Sequence, residues 1–81
     1  MDIKDTVVTF IQTHLKGHKL KKRYNASLLE EGIIDSVAVI EMVTFLEETF
    51  GVKIEDEEII PDNLDSVNKI EAYVNKKLKE K

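Results

Sequence analysis

The sequence predicts an all-α fold, and three observations lead to it. Apolar residues recur at helical spacing in three separate stretches, over 2–16, 36–50 and 67–78. Each stretch opens beside an aspartate or an Asp-Ser pair able to cap a helix, and Gly17 and Gly51 stand where the first two should stop. Between the second and third, Val52-Lys53-Ile54 is short and extended, and Glu55 to Ile60 suggests one helical turn.

The first helix is predicted from Asp2 to Lys16, with Asp2 as cap and Gly17 as stop. Ile3, Val7, Phe10, Ile11 and Leu15 form its apolar stripe, with Asp5, Thr9, Gln12 and Lys16 opposite. His14 falls on the apolar side and His18 just past the end. Their spacing matches a metal pair, but Gly17 interrupts the helix and no third ligand is evident. An ordinary rim histidine is expected.

The run His18-Lys19-Leu20-Lys21-Lys22-Arg23-Tyr24, with Lys16, places five cations in eight residues. It reads as a contact for RNA, anionic lipid or an acidic protein, or more plainly as a solvated loop or an internal partner for the acidic half. Tyr24 alone is no stacking platform, and the acidic pI of 5.1 argues against nucleic acid. Asn25 to Ile34 follows as an ordered connector, with Leu28, Leu29, Ile33 and Ile34 as its apolar anchors.

Gly32-Ile33-Ile34-Asp35-Ser36-Val37 leads into the second helix, which starts at Asp35 or Ser36. Asp35 is a good N-cap, and Ile33-Ile34 ties the entering chain to the core, so the tip is expected to be fixed. Free backbone N–H groups of the first turn, and the positive end of the dipole, would face a phosphate ester on the Ser36 hydroxyl. Ser36 therefore reads as an attachment point. At about 100° per residue, Val39, Met42, Val43, Leu46 and Phe50 form a core stripe. Val37, Ile40, Glu41, Thr44, Glu47 and Glu48 gather opposite; the strip suits docking of a partner, or else Val37 and Ile40, above all Ile40, touch the edge of the core.

Further on, Pro61 is expected to end the short turn, with Ile59 and Ile60 facing inward. Asp65 or Ser66 should cap the last helix, whose stripe is Val67, Ile70, Val74 and Leu78. Its lysines Lys76, Lys77, Lys79 and Lys81 complement the helix dipole and need no other task. Asp65-Ser66-Val67 repeats the tripeptide Asp35-Ser36-Val37, a warning that an Asp-Ser pair is ordinary capping chemistry.

Eighty-one residues suffice for a single domain, 1–81, with one core but without an enclosed active site. No apolar run is long enough to span a membrane and no signal peptide is visible, so a cytoplasmic location is expected. The chain lacks cysteine, so any thioester chemistry needs sulfur from a prosthetic group. Residues 1–29 hold six Lys/Arg against two Asp, a balance of +4, whereas 30–65 hold twelve acids against Lys53, a balance of −11. Partners of the Ser36 region should be basic. The acids of Glu55-Asp56-Glu57-Glu58 lack the spacing of a calcium loop.

The pattern Leu28-Leu29-Glu30-Glu31-Gly32-Ile33-Ile34-Asp35-Ser36-Val37, then Glu41, Leu46-Glu47-Glu48 and Phe50-Gly51-Val52, resembles the acyl carrier protein family. The resemblance continues through Ile54 to Glu58 and Asp62 to Val67, covering roughly residues 3–78. It implies a four-helix bundle of acyl-carrier type, with three long helices, one short helix and a long loop between the first two. It implies that Ser36, beside the cap Asp35, carries covalent 4′-phosphopantetheine installed by a phosphopantetheinyl transferase. Acyl or aminoacyl cargo would ride on it as a thioester, in fatty-acid or specialised-metabolite biosynthesis. The protein would then be a monomeric carrier and not an enzyme. Acyl-loading and acyl-transferring enzymes would meet it through basic docking surfaces, with Val37, Ile40, Glu41, Glu47 and Glu48 as the contact residues. Val37 stands where the family usually has leucine. Ala38 stands where fatty-acid carriers often have an acid, and the entry to Ser36 is closer to carriers of specialised pathways. Aminoacyl, D-alanyl and peptidyl carriage is the alternative within the family, and an unmodified helical adaptor for basic partners the alternative outside it.

Overall fold

A computed structural model describes residues 2–16, 20 and 23–80. It is all-α: α1 (Ile3–His14), α2 (Ser36–Phe50), a short α3 (Pro61–Leu64) and α4 (Val67–Glu80), with a 3₁₀ turn at Asp56–Glu58 before α3. Three long helices and one short one form the bundle, with the long connection falling between α1 and α2.

In α1 the Asp2 carboxylate accepts the Asp5 amide at 3.3 Å, and the Asp2 carbonyl accepts both the amide and the hydroxyl of Thr6. The helix ends at His14, two residues short of Lys16. Leu15 is already extended and gives its N–H to the Ile11 carbonyl at 3.0 Å. The expected Gly17 stop and His18 lie outside the described residues. Val7, Phe10 and Ile11 are buried. His14 is exposed at the rim, its ring 5.0 Å from that of Phe10 one helical turn earlier.

The last helix is the hub of the bundle. It buries Val67, Ile70, Tyr73 and Val74 and packs against α1, α2 and α3. Between α1 and α2, Phe10 and Phe45 stack with centroids 4.2 Å apart. Gly51 takes the left-handed conformation that closes α2, at φ 67°, where a side chain would be costly. In the next stretch Val52 and Ile54 are buried and Lys53 is exposed, the alternation of an extended segment.

Two expectations fail in the connector to α4. Pro61 does not end a helical turn but opens α3 at its first position, where the missing N–H costs nothing and its φ is already helical. Ile59 packs at the core edge while Ile60 remains 42% exposed, so the pair does not face inward together. Lys77 also has a task beyond the helix dipole. Its ammonium binds Glu58 Oε1 at 3.0 Å and Oε2 at 3.3 Å, clasping the 3₁₀ turn to α4. Glu58 Oε1 further accepts the Glu55 amide at 3.0 Å, and the Glu58 carbonyl accepts Asn63 Nδ2 at 2.9 Å. The Glu58 carboxyl is held below the usual range first by the Glu55 amide and then by Lys77.

Candidate functional site

The loop before α2 is ordered by backbone bonds around one buried residue. The Leu28 carbonyl accepts the amides of Ile33 at 2.9 Å and Ile34 at 3.1 Å, and its own N–H reaches the Asp65 carbonyl at 2.7 Å. Gly32 makes the reversal possible with φ 73°. Leu28, Ile33 and Ile34 are buried. Leu29 is not a fourth anchor: it is 48% exposed, because its amide is drawn to Asp65 Oδ1 at 2.9 Å while its side chain turns outward.

This loop delivers Asp35 as the cap of α2. Asp35 Oδ1 accepts the amides of Val37 at 3.0 Å and Ala38 at 2.8 Å, and the Asp35 carbonyl accepts that of Val39 at 2.9 Å. The Ala38 amide first, then Val37 and the charge of Lys16, keep this carboxyl below the ordinary aspartate range. The expectation of several free amides around Ser36 is thereby corrected. Among the described residues, only the Ser36 N–H of the first turn makes no hydrogen bond, and the capping carboxylate offsets the positive helix end. An anion on Ser36 would meet one free amide rather than several.

Ser36 itself is exposed. Beside it lies a cavity of about 270 Å³ with aliphatic walls from Leu29, Ile34, Val39, Ile59, Ile60 and Leu64. Asp35, Ser36 and Asp65 contribute its polar edge. It sits between the start of α2, the loop and the segment leading into α3.

Ser66, in the matching tripeptide, has the opposite fate. It is 3% exposed, and its oxygen accepts the Lys69 amide at 3.1 Å as the cap of α4. Asp65 caps nothing there; its carboxylate accepts the Ser27 hydroxyl at 2.6 Å and the Leu29 amide. In one tripeptide the acid caps and the serine is presented. In the other the serine caps and is buried.

Along α2, Val37 is 66% and Ile40 56% exposed, with Glu41, Thr44 and Glu48 also open. Glu47 is not open with them. It is half-buried, and Glu47 Oε2 accepts the Ile54 amide at 2.9 Å. By helical angle it lies about 20° from Ile40, so it is the bond to the extended segment that takes its carboxylate from the open strip. In the basic stretch, Arg23 binds Glu31 through both guanidinium nitrogens, at 2.5 and 3.2 Å, so part of this charge serves the fold. Lys19, Lys21 and Lys22 lie outside the described residues. The described residues hold no metal-binding cluster and no helix long and apolar enough to cross a membrane.

A serine held in the open at a fixed helix tip, on a bundle of three long helices and one short one, is the geometry of a carrier domain. Residues 19–74 match the family described as "Phosphopantetheine attachment site". This is more than half of the chain, which belongs to that family. The family assigns it a covalent phosphopantetheine and the role of a carrier rather than a catalyst, served by a phosphopantetheinyl transferase and by transfer enzymes. Over 76 residues the chain is 24% identical to the D-alanyl carrier protein of Abiotrophia defectiva, covering 94% of this chain and 96% of that protein. It is 28% identical over 74 residues to that of Leuconostoc mesenteroides subsp. mesenteroides, with 91% and 94% covered. A third D-alanyl carrier protein, from Lactococcus lactis subsp. cremoris (strain MG1363), is 28% identical over 78 residues, with 96% and 99% covered.

Proposed function

We propose that Ser36 bears the phosphopantetheine and that the cargo is a D-alanyl group, carried as a thioester. The observation that supports Ser36 is its exposure at a tip fixed by Asp35, against the burial of Ser66 within its own cap. The Ser36 oxygen would attack the pantetheine-side phosphorus of the coenzyme A pyrophosphate, forming a Ser36 O–P bond and breaking the bridging P–O bond, with adenosine 3′,5′-bisphosphate as the leaving group. The hydroxyl proton would pass to a base on the transferase. The group then supplies the thiol that this cysteine-free chain lacks.

The alternative of D-alanyl carriage is favoured over fatty-acyl carriage by the relatives, D-alanyl carrier proteins matched over most or nearly all of their length. Asp35 fixes the anchor, and the aliphatic cavity offers shelter to a short cargo or to the adjoining arm. Val37, Ile40, Glu41 and Glu48 present an apolar and acidic strip to basic partner enzymes, with Glu47 serving the fold behind it.

The test is intact mass after incubation with coenzyme A and a broad-specificity phosphopantetheinyl transferase. Wild type, Ser36→Ala and Ser66→Ala are compared. One added arm, absent only in Ser36→Ala, is the expected result; addition to Ser36→Ala would refute the assignment. Loading the product with an ATP-dependent D-alanine-activating enzyme, against fatty-acyl and L-alanyl competitors, tests the cargo.

A further inference from the structure

One side chain of the cavity beside Ser36 carries a charge that its structural task does not consume. Asp65, half-buried where α3 gives way to α4, stands on the polar edge of a cavity whose other walls are aliphatic. Its carboxylate is held by two neutral donors, the Ser27 hydroxyl at 2.6 Å on one oxygen and the Leu29 amide at 2.9 Å on the other. These bonds orient the group without neutralising it, and each oxygen keeps acceptor capacity.

No lysine or arginine among the described residues forms an ion pair with Asp65. Asp35 is the other charged residue of the lining, and the two acids differ. One oxygen of Asp35 is occupied by the Val37 and Ala38 amides, and its charge already feels Lys16. Asp65 is the acid left to face the cavity without a cation.

We infer that Asp65 is a specificity residue for the cargo, its carboxylate receiving the α-ammonium of a short aminoacyl group whose side chain rests on the aliphatic walls. The inference builds on the D-alanyl cargo proposed above and adds the residue that tells an aminoacyl group from a plain acyl group. An alanyl group is cationic at one corner and carries only a methyl at another. A cavity of about 270 Å³ with aliphatic walls and one oriented carboxylate matches both parts. Beside apolar walls the attraction is screened less than in open water. A fatty-acyl chain could fill the same walls, but it would strip water from Asp65 and return no hydrogen bond, a cost that favours the cationic cargo. A flexible arm rooted at Ser36, on the edge of the same cavity, can fold back to it.

Coenzyme A analogues in which nitrogen replaces the terminal sulfur give hydrolysis-stable arms bearing D-alanyl, or propionyl as the counterpart without the amine. The full chain, ¹⁵N-labelled, is loaded with each by a broad-specificity phosphopantetheinyl transferase, and intact mass beside Ser36→Ala reports the anchor separately. The D-alanyl arm should shift the amides of Leu29, Leu64 and Asp65 more than the propionyl arm does. Its ammonium should titrate about 0.2–0.7 pKa unit above that of the same arm free in solution, the range of a solvent-exposed ion pair. Asp65→Asn should abolish that rise. Ser27→Ala, which loses the loop bond but keeps the carboxylate, should retain it, whereas a purely structural Asp65 would make the two variants alike. The comparison of the two arms in wild type needs no variant to fold. Equal shifts from the two arms, an ammonium that titrates as in the free arm, or the same titration in both variants would overturn the inference. An arm missing from Ser36 would overturn the anchor as well, and the D-alanine-activating enzyme tests the natural cargo apart from this contact.

Discussion

Ser27 donates its hydroxyl to the Asp65 carboxylate at 2.6 Å, joining residues 38 positions apart. Ser27 Oγ in turn accepts the Glu30 amide at 3.1 Å, and the other Asp65 oxygen holds the Leu29 amide. A single side chain before α4 thus fixes the loop that delivers Ser36. Asp65→Ala leaves these donors without their acceptor and should cost about 1–3 kcal/mol in urea unfolding. The loss in an Asp65→Ala, Ser27→Ala double variant should be less than the sum of the single losses, because the partners share one bond.

Acid should loosen two defined places. The carboxyls of Asp35 and Glu58 both have lowered pKa values in the folded state. Their contribution is complete above the unfolded pKa values and is lost as pH falls through the lower folded ones. Below about pH 4, protection against amide exchange, corrected for the intrinsic rate at each pH, should fall first at Val37 and Ala38 and around Glu55. Asp35→Asn, which keeps an oxygen acceptor but does not titrate, should remove the acid sensitivity at Val37 and Ala38. Unchanged protection factors there in wild type on acidification would contradict this account of the cap.

Tyr73 is buried, and its hydroxyl has no partner at hydrogen-bonding distance among the described residues. Burial, and then the charge of Glu58, push its ionisation well above that of an ordinary tyrosine. Tyr73→Phe removes a polar atom that gains little from folding. Thermal unfolding should show unchanged or slightly raised stability. A loss of about 2 kcal/mol or more would mean that the hydroxyl bonds to a group such as Glu58 in solution.

Leu29 and Ile60 line the cavity beside Ser36 although both are substantially exposed. Leu29→Ser and Ile60→Ser should therefore change stability by only about 0.5 kcal/mol each. If cargo or arm rests in the cavity, the same variants should diminish the chemical-shift differences between loaded and unloaded protein at Ile59 and Leu64. Leu46→Ala, at a fully buried site of α2, is the contrast: about 2–5 kcal/mol should be lost.

The helices that carry strong apolar periodicity were legible from sequence, and so was the cap at Asp35, because both arise from local rules. Positions decided by distant partners were not. Glu47 looks like a surface acid until the Ile54 amide is brought to it, and Lys77 looks like a dipole lysine until Glu58 arrives 19 residues away. Pro61 has a local meaning at either edge of a helix, and in the fold it opens α3, whose Leu64 is buried. The two Asp-Ser-Val tripeptides are the clearest case. Their opposite roles depend on Ser27 and Leu29, which reach only one of the two aspartates.

The Asp35 cap also governs delivery. A tether rooted on a loose loop spreads its far end over a wide volume, whereas one rooted at a capped helix tip has a fixed origin. With the arm on Ser36 and a partner seated on α2, as proposed above, the tethered group would be presented at an effective concentration in the millimolar range, the usual result of a short flexible link. Docking can then remain weak and brief, and one carrier can pass between enzymes without a tight complex to break at each exchange.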